Sequence, residues 1–98
     1  MWQIKIHHLV LKEDCKNIPV AHQKQIFKTI VKKLSLDPQA YGKPLAGEFV
    51  GYWRLRVEDY RVVYRIEKQE IIVFVMRVGI RKDDRVYQEL FSRLKKFK

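Results

Sequence analysis

Gly51-Tyr52-Trp53-Arg54-Leu55-Arg56-Val57-Glu58-Asp59-Tyr60-Arg61-Val62-Val63-Tyr64-Arg65-Ile66 alternates in character on either side of a short acidic turn. That is the pattern of two strands paired as an antiparallel hairpin. A turn of two or of four residues at Glu58-Asp59 gives the same register, with Arg56 opposite Arg61 and Arg54 opposite Val63. One face then carries Tyr52, Arg54, Arg56, Arg61 and Arg65. The other carries Trp53, Leu55, Val57, Val62, Tyr64 and Ile66. Like charges directly across a sheet destabilise it, so guanidinium groups gathered on one face point to an anionic ligand. Exposed strand arginines also serve to blunt sheet edges, but the planar fork of arginine suits bidentate phosphate contacts.

Downstream of the hairpin, the polar turn Glu67-Lys68-Gln69-Glu70 leads into a third strand from about Ile71 to Val78. Its run Ile71-Ile72-Val73-Phe74-Val75-Met76 is apolar on both faces and predicts cover on both sides. Gly79 breaks the pattern. Asp83 or Asp84 is placed to cap a final helix whose Val86, Leu90, Phe91 and Leu94 form an apolar stripe. Upstream, residues 37–50 hold Pro38, Gly42, Pro44 and Gly47 and read as a loop.

Before that loop, Pro19 suits the first turn of a helix. This helix puts Ile26, Phe27, Ile30, Val31 and Leu34 on one side and Lys24, Lys28, Lys32 and Lys33 on the rest. It closes before Pro38, because a residue preceding proline avoids helical angles. His8, Leu11, Cys15 and Ile18 recur at spacings of three and four and predict a shorter amphipathic helix. Trp2 to His7 alternates as an opening strand. The expected fold is therefore α+β and a single domain over residues 1–98, in the order β-α-α-β-β-β-α. A helical pair covers the Trp53, Leu55 and Tyr64 face of an antiparallel sheet of about four strands. A short C-terminal helix lies over Phe74 and Met76 and leaves the arginines open.

Ninety-eight residues allow one modest core. Lys and Arg total 21 against 11 Asp and Glu, a formal charge of +10. A balance of that size concerns partners and association rates rather than fold, and nucleic acid, an anionic membrane surface or an acidic protein are the candidates. A single cysteine, Cys15, forms no internal disulfide and suggests a reducing compartment. The opening residues have no run resembling a signal peptide, and no apolar segment approaches the roughly 18 residues that span a bilayer. A cytoplasmic protein is expected.

Beyond the hairpin arginines, Arg81 and Lys82 follow the third strand, where a loop residue can reach over the sheet. Tyr87 lies near the start of the last helix, either as core or as an aromatic surface for a nucleotide. His7 and His8 adjoin at a strand end and His22 sits on the Lys-rich helix. No Cys or carboxylate joins them at a ligand spacing, so neither a metal nor another cofactor is expected. Cys15, at an apolar helix position, reads as a small buried hydrophobe. The chain has no phosphate-cradling glycine loop, no nucleophile elbow and no paired carboxylates at a meaningful spacing.

Leu45-Ala46-Gly47, Trp53-Arg54-Leu55-Arg56-Val57, Asp59 to Ile66 and Val75-Met76-Arg77-Val78-Gly79-Ile80-Arg81 resemble, in order and spacing, the RelE/ParE superfamily of bacterial and archaeal toxins. The resemblance runs through the helical pair and the closing Val86-Tyr87. Its RelE-like branch consists of cytoplasmic endoribonucleases that enter the ribosomal A site and cut mRNA, inhibiting translation. The resemblance implies attack by the ribose 2′-OH on the adjacent phosphate, leaving a cyclic phosphate end. Arg61 would clamp the scissile phosphate, Arg81 would stabilise or protonate the leaving 5′-oxygen, and Tyr87 would orient the mRNA base or ribose. Arg54 falls where well-studied members carry a lysine acting as general base, and a second such lysine, at about Tyr52 or Trp53, is missing. Arginine, with a pKa above about 12, rarely gives up its proton.

Tyr52, Arg56, Arg65 and Lys82 would complete the RNA-binding surface. The resemblance also implies a RelB-like acidic antitoxin that wraps the toxin in a heterodimer or heterotetramer, with the 70S ribosome and mRNA as the other partners. Two other readings share this fold or this face. One is a ParE-like inhibitor of DNA gyrase, and the other is a basic RNA-binding domain without chemistry. The co-occurrence of Arg54, Arg61, Arg81 and Tyr87 favours the ribonuclease.

Overall fold

Five strands form the sheet in the computed structural model, which describes residues 1–80: β1 (Gln3–Ile6), β2 (Lys43–Pro44), β3 (Tyr52–Val57), β4 (Tyr60–Glu67) and β5 (Ile72–Ile80). Their order is β1-β5-β4-β3-β2. The hairpin closes through the two-residue turn Glu58-Asp59, pairing Arg56 with Arg61 and Arg54 with Val63 as the alternation predicts. Glu58 holds φ +54°, in the left-handed region. The sheet is mixed rather than wholly antiparallel, because β1 pairs parallel to β5, with Lys5 opposite Phe74. Alternation marks a strand but not its direction. Here the helices carry the chain from β1, at one edge, over the sheet to β2 at the other. β2 is a fifth strand inside the expected loop, and two residues are too short to show a period.

The first helical segment is broken. α1 (His8–Lys12) starts where the His7 ring accepts the Leu9 amide at 3.1 Å, and a 3₁₀ turn (Asp14–Asn17) follows. The break changes which side faces in, so that Val10, Cys15 and Ile18 are buried while Leu11 stays exposed. Gln23 joins this segment to the next helix by donating to the carbonyls of Cys15 (2.8 Å) and Ile18 (2.7 Å), the first of which also accepts the Ile18 amide that closes the turn.

α2 (Val20–Thr29) runs into a π-helical turn over Ile30–Leu34. That wider turn lets Ile26, Ile30 and Leu34, spaced by four, all point inward, and it rotates Val31 out to solvent against expectation. These three side chains meet Leu55, Val57, Val62, Tyr64, Val73, Val75 and Val78 in the main core. Each such burial contributes roughly 1.5–3 kcal/mol.

β5 is apolar on both faces as predicted, and it runs through Gly79 instead of ending there. Its register with β4 shifts between Val63 and Tyr64, so that Met76 is the extra residue. Such a bulge lets Val73, Val75 and Val78 share the core face despite their uneven spacing. On the opposite face Val63 and Met76 form a small second cluster with Leu45, Phe49, Tyr52 and Phe74. Leu45 and Phe49 come from the 37–50 segment, which also contains α3 (Pro38–Tyr41), capped by the Asp37 carboxylate. The expected C-terminal helix lies outside the described residues. No helix among the described residues is long and apolar enough to cross a membrane.

Candidate nucleic-acid interface

Sheet register arranges the arginine face in three rows that cross the strands. One row is Arg56, Arg61 and Gly79. The middle row is Lys43, Arg54, Val63 and Arg77. The third is Tyr52, Arg65, Phe74 and Lys5. Partners directly across a sheet have β-carbons about 4.5–5.5 Å apart, so Arg56 and Arg61 lie side by side, as do Lys43 and Arg54. Arg56 is exposed, while Arg54, Arg61 and Arg65 are half-buried. Gly79 presents no side chain across from Arg61. Like charges directly across a sheet destabilise it, and a bound polyanion would reverse that sign.

Two buried locks hold the rows in place. On the core face, Tyr64 is fully buried and its hydroxyl donates to the Pro38 carbonyl at 2.5 Å. Burial, with a smaller contribution from Asp37, pushes its phenol above the ordinary tyrosine range. Gly42 makes this contact possible, because a β-carbon there would collide with the Tyr64 hydroxyl and approach the Arg54 carbonyl to 2.9 Å. The lock fixes α3 and hence the strand that sets Lys43 beside Arg54. At the other side of the sheet, Asp14 is buried against Arg77 in an ion pair and accepts the Val78 amide at 2.9 Å. Arg77 in turn donates to the Val78 carbonyl at 2.5 Å. The 3₁₀ turn is thereby tied to the stretch of β5 that faces Arg61.

A second basic region adjoins the first. A groove of about 540 Å³ between the long helix and β3 is lined by Lys24, Lys28, Lys32, Lys33 and Arg56, with Glu58 as its carboxylate. Arg56 thus belongs to both surfaces. Next to it, His22 and Tyr60 share a hydrogen bond of 2.9 Å at the rim of a cleft of about 230 Å³. Among the described residues no group of three or more His, Cys, Asp or Glu is placed to hold a metal. Burial first, and Asp14 second, push the Cys15 thiol up, which makes it a poor nucleophile.

Of the residues singled out in the sequence, Tyr52, Arg54, Arg56, Arg61 and Arg65 come together on one face. Arg81, Lys82 and Tyr87 lie outside the described residues. Lys43, Lys5, Asp14 and Gly42 were not foreseen. Lys43 and Lys5 arrive through strand pairings, and Asp14 meets a β5 amide 64 positions away in sequence, so no local pattern announces them. Gly42 could have been suspected as a glycine between a tyrosine and a Lys-Pro pair, but its clash partner is 22 positions distant.

Comparison with known proteins places this geometry. A family model described as ParE toxin of type II toxin-antitoxin system, parDE, matches residues 5–85. Toxin RelG of Mycobacterium tuberculosis is 31% identical over 72 residues, spanning 74% of this chain and 83% of that protein. A chain of the toxin–antitoxin complex RelBE2 from the same organism superposes with a TM-score of 0.76 at 26% identity, covering 82% of this chain and 98% of its own. A mutant of the Escherichia coli toxin RelE in the free state superposes with a TM-score of 0.72 at 24% identity over 95% of this chain and 97% of its own, a likeness of fold.

Proposed function

This chain belongs to the RelE/ParE superfamily, the toxins of type II toxin–antitoxin systems, and from that premise we propose that it is a ribosome-dependent endoribonuclease cutting mRNA in the A site. The observation that carries the reading is the adjacency of two cation pairs, Arg56 with Arg61 and Lys43 with Arg54, on one sheet face. In the proposed reaction a ribose 2′-oxygen attacks the neighbouring phosphorus. The bond to the 5′-oxygen breaks, leaving a 2′,3′-cyclic phosphate and a new 5′-hydroxyl. Negative charge accumulates on the phosphorane oxygens, and preorganised donors aimed there are often the largest catalytic contribution.

Arg61 clamps the phosphate with its planar fork, and Arg54 and Arg56 flank it. Arg81 serves the leaving oxygen and Tyr87 orients the base or ribose. Where a lysine would stand at position 52 or 53, Lys43 supplies an ammonium beside Arg54 from the neighbouring strand. A site so rich in cations and poor in proton acceptors depends on the ribosome to orient the 2′-OH, a form of orientation catalysis. The groove with four lysines supports docking on ribosomal RNA through phosphates. A RelB-like acidic antitoxin, as in the RelBE complexes this chain resembles, would cover the basic face in a heterodimer or heterotetramer in the cytoplasm.

Toeprinting of a defined message on programmed ribosomes tests the reading, with the same RNA free in solution alongside. Cleavage on the ribosome, much slower without it, is expected. Equal cutting of both would remove the ribosome from the mechanism. The description of the matching family as ParE supports a second reading, inhibition of DNA gyrase. A supercoiling assay with no cleavage in either RNA arm would select it.

A further inference from the structure

The third row of the face differs from the other two. Across β3, β4, β5 and β1 it reads aromatic, cation, aromatic, cation: Tyr52, Arg65, Phe74 and Lys5. The Arg65 guanidinium carbon lies 4.6 Å from the centre of the Phe74 ring, and the Lys5 ammonium lies 6.0 Å from that ring. Two positive groups therefore converge on one aromatic side chain. Glu67 approaches Arg65 at 3.8 Å, with both side chains more than a third exposed, a pair of little energetic weight in water. Among the described residues Lys5 forms no ion pair. Tyr52 and Phe74 are half-buried, their apolar sides resting on Val63 and Met76, so neither ring is free to swing away.

We propose that the row Tyr52–Arg65–Phe74–Lys5 is a subsite for one unpaired nucleotide, whose base stacks on the ring and guanidinium surface and whose phosphate meets Lys5. Unpaired bases stack on aromatic side chains and on arginine planes, and the contact tolerates any base because every base has a π-face. Four strands at about 4.8 Å spacing make the row about 14 Å long, enough for a nucleotide with its phosphate. Arg65 stands four residues along β4 from Arg61, about 13 Å. The subsite thus lies apart from the proposed scissile phosphate on the same face, and it holds a neighbouring part of the same strand. Its link to mRNA rests on the ribonuclease reading, whereas stacking itself does not.

The test uses the full chain without ribosomes. A fluorescently labelled oligodeoxyuridylate, which lacks the 2′-OH and is not cut, is compared by anisotropy with an abasic oligomer of equal length and charge. The parent should bind the base-bearing oligomer about ten-fold more tightly, in the range measured for loss of one stacking partner. Arg65→Lys keeps the charge without the plane, and Phe74→Leu keeps the apolar contact without the ring. Both should abolish that preference, with base-bearing binding falling further than abasic binding. Arg61→Ala should weaken both oligomers together.

Equal binding of the two oligomers by the parent overturns the subsite, as does a preference that survives in Arg65→Lys. Should Phe74→Leu melt early, Tyr52→Leu gives the same comparison. Preference without any ribosomal cleavage would leave the subsite standing and remove the ribonuclease reading, and cleavage without preference would do the reverse.

Discussion

On one face of the β3–β4 hairpin Leu55, Val57, Val62 and Tyr64 are sealed beneath the long helix, whereas on the other Arg54, Arg56, Arg61 and Arg65 keep part of their surface in solvent. The same period of two produces both. The core face gains from every contact, so its residues specify the fold. The arginine face opposes folding by placing like charges side by side, and the sheet tolerates it because the other face and two buried locks hold the register. Stability and binding are therefore divided between the faces, and substitutions should separate them.

The largest expected effect is at a lock. Asp14→Ala leaves the Arg77 guanidinium buried without its carboxylate and the Val78 amide without its acceptor. Breaking a buried pair in this way typically lowers stability by about 3–5 kcal/mol. Urea denaturation measures it, and a loss below about 1 kcal/mol would mean that the 3₁₀ turn is not what holds this part of β5.

Arg61→Ala should do the opposite. Removing one preorganised cation from a developing phosphorane costs about 10²–10³ in rate, by analogy with an oxyanion donor. Its melting temperature should stay level or rise, because Arg56 loses a like-charged neighbour. Single-turnover cleavage on programmed ribosomes, paired with thermal melts, gives both numbers. A variant that is unstable but fully active would assign Arg61 to the scaffold instead.

The hairpin was legible because its alternation, its turn and its charges all agree, and the register drawn from them matches pair for pair. The burial of β5 on both faces was equally plain from its two-sided apolar run. What escaped reading depends on distant partners. β1 lies parallel at the edge because the helices return the chain across the sheet, which no local period encodes. The π-turn at Ile30–Leu34 reversed Val31, since a helix pattern assumes one turn width throughout. Within the site, the arginines were visible as a set, while Lys43 depended on a two-residue strand and Asp14 on a contact from a turn to a far strand.

Tyr64→Phe tests the other lock at a smaller scale. The Pro38 carbonyl loses its donor in a buried position, for about 1–3 kcal/mol. The parent should also show a pH dependence that the variant lacks. A phenol raised in the folded state holds its proton where the unfolded chain has released it. That stability is complete below the ordinary tyrosine value of about 10 and fades as pH rises beyond it. Parent and variant melts should therefore converge above about pH 10. If instead the difference between them is the same at pH 8 and pH 11, the Tyr64 hydroxyl carries no such linkage.

The smallest effect separates charge from chemistry on the open face. Arg56 is exposed and directly opposite Arg61, and it also lines the lysine groove. Replacing it by Gln removes one repulsive partner, so the variant should be more stable than the parent by less than about 1 kcal/mol. Screening acts over about 10 Å at 0.1 M salt, and the gain should shrink as salt is raised, because what was removed is a repulsion between partly solvated charges. Adding a short oligonucleotide should invert the order: the ligand stabilises the parent more, since the same charge that opposes folding alone attracts the phosphates. Cleavage should fall far less than in Arg61→Ala, because a flanking cation shapes the field without gripping the phosphate. Melting curves across salt, with and without the oligonucleotide, read all of this in one series. A variant no more stable than the parent at low salt would mean that Arg56 and Arg61 do not repel, and the arginine face would lose the strain that here points to an anionic ligand.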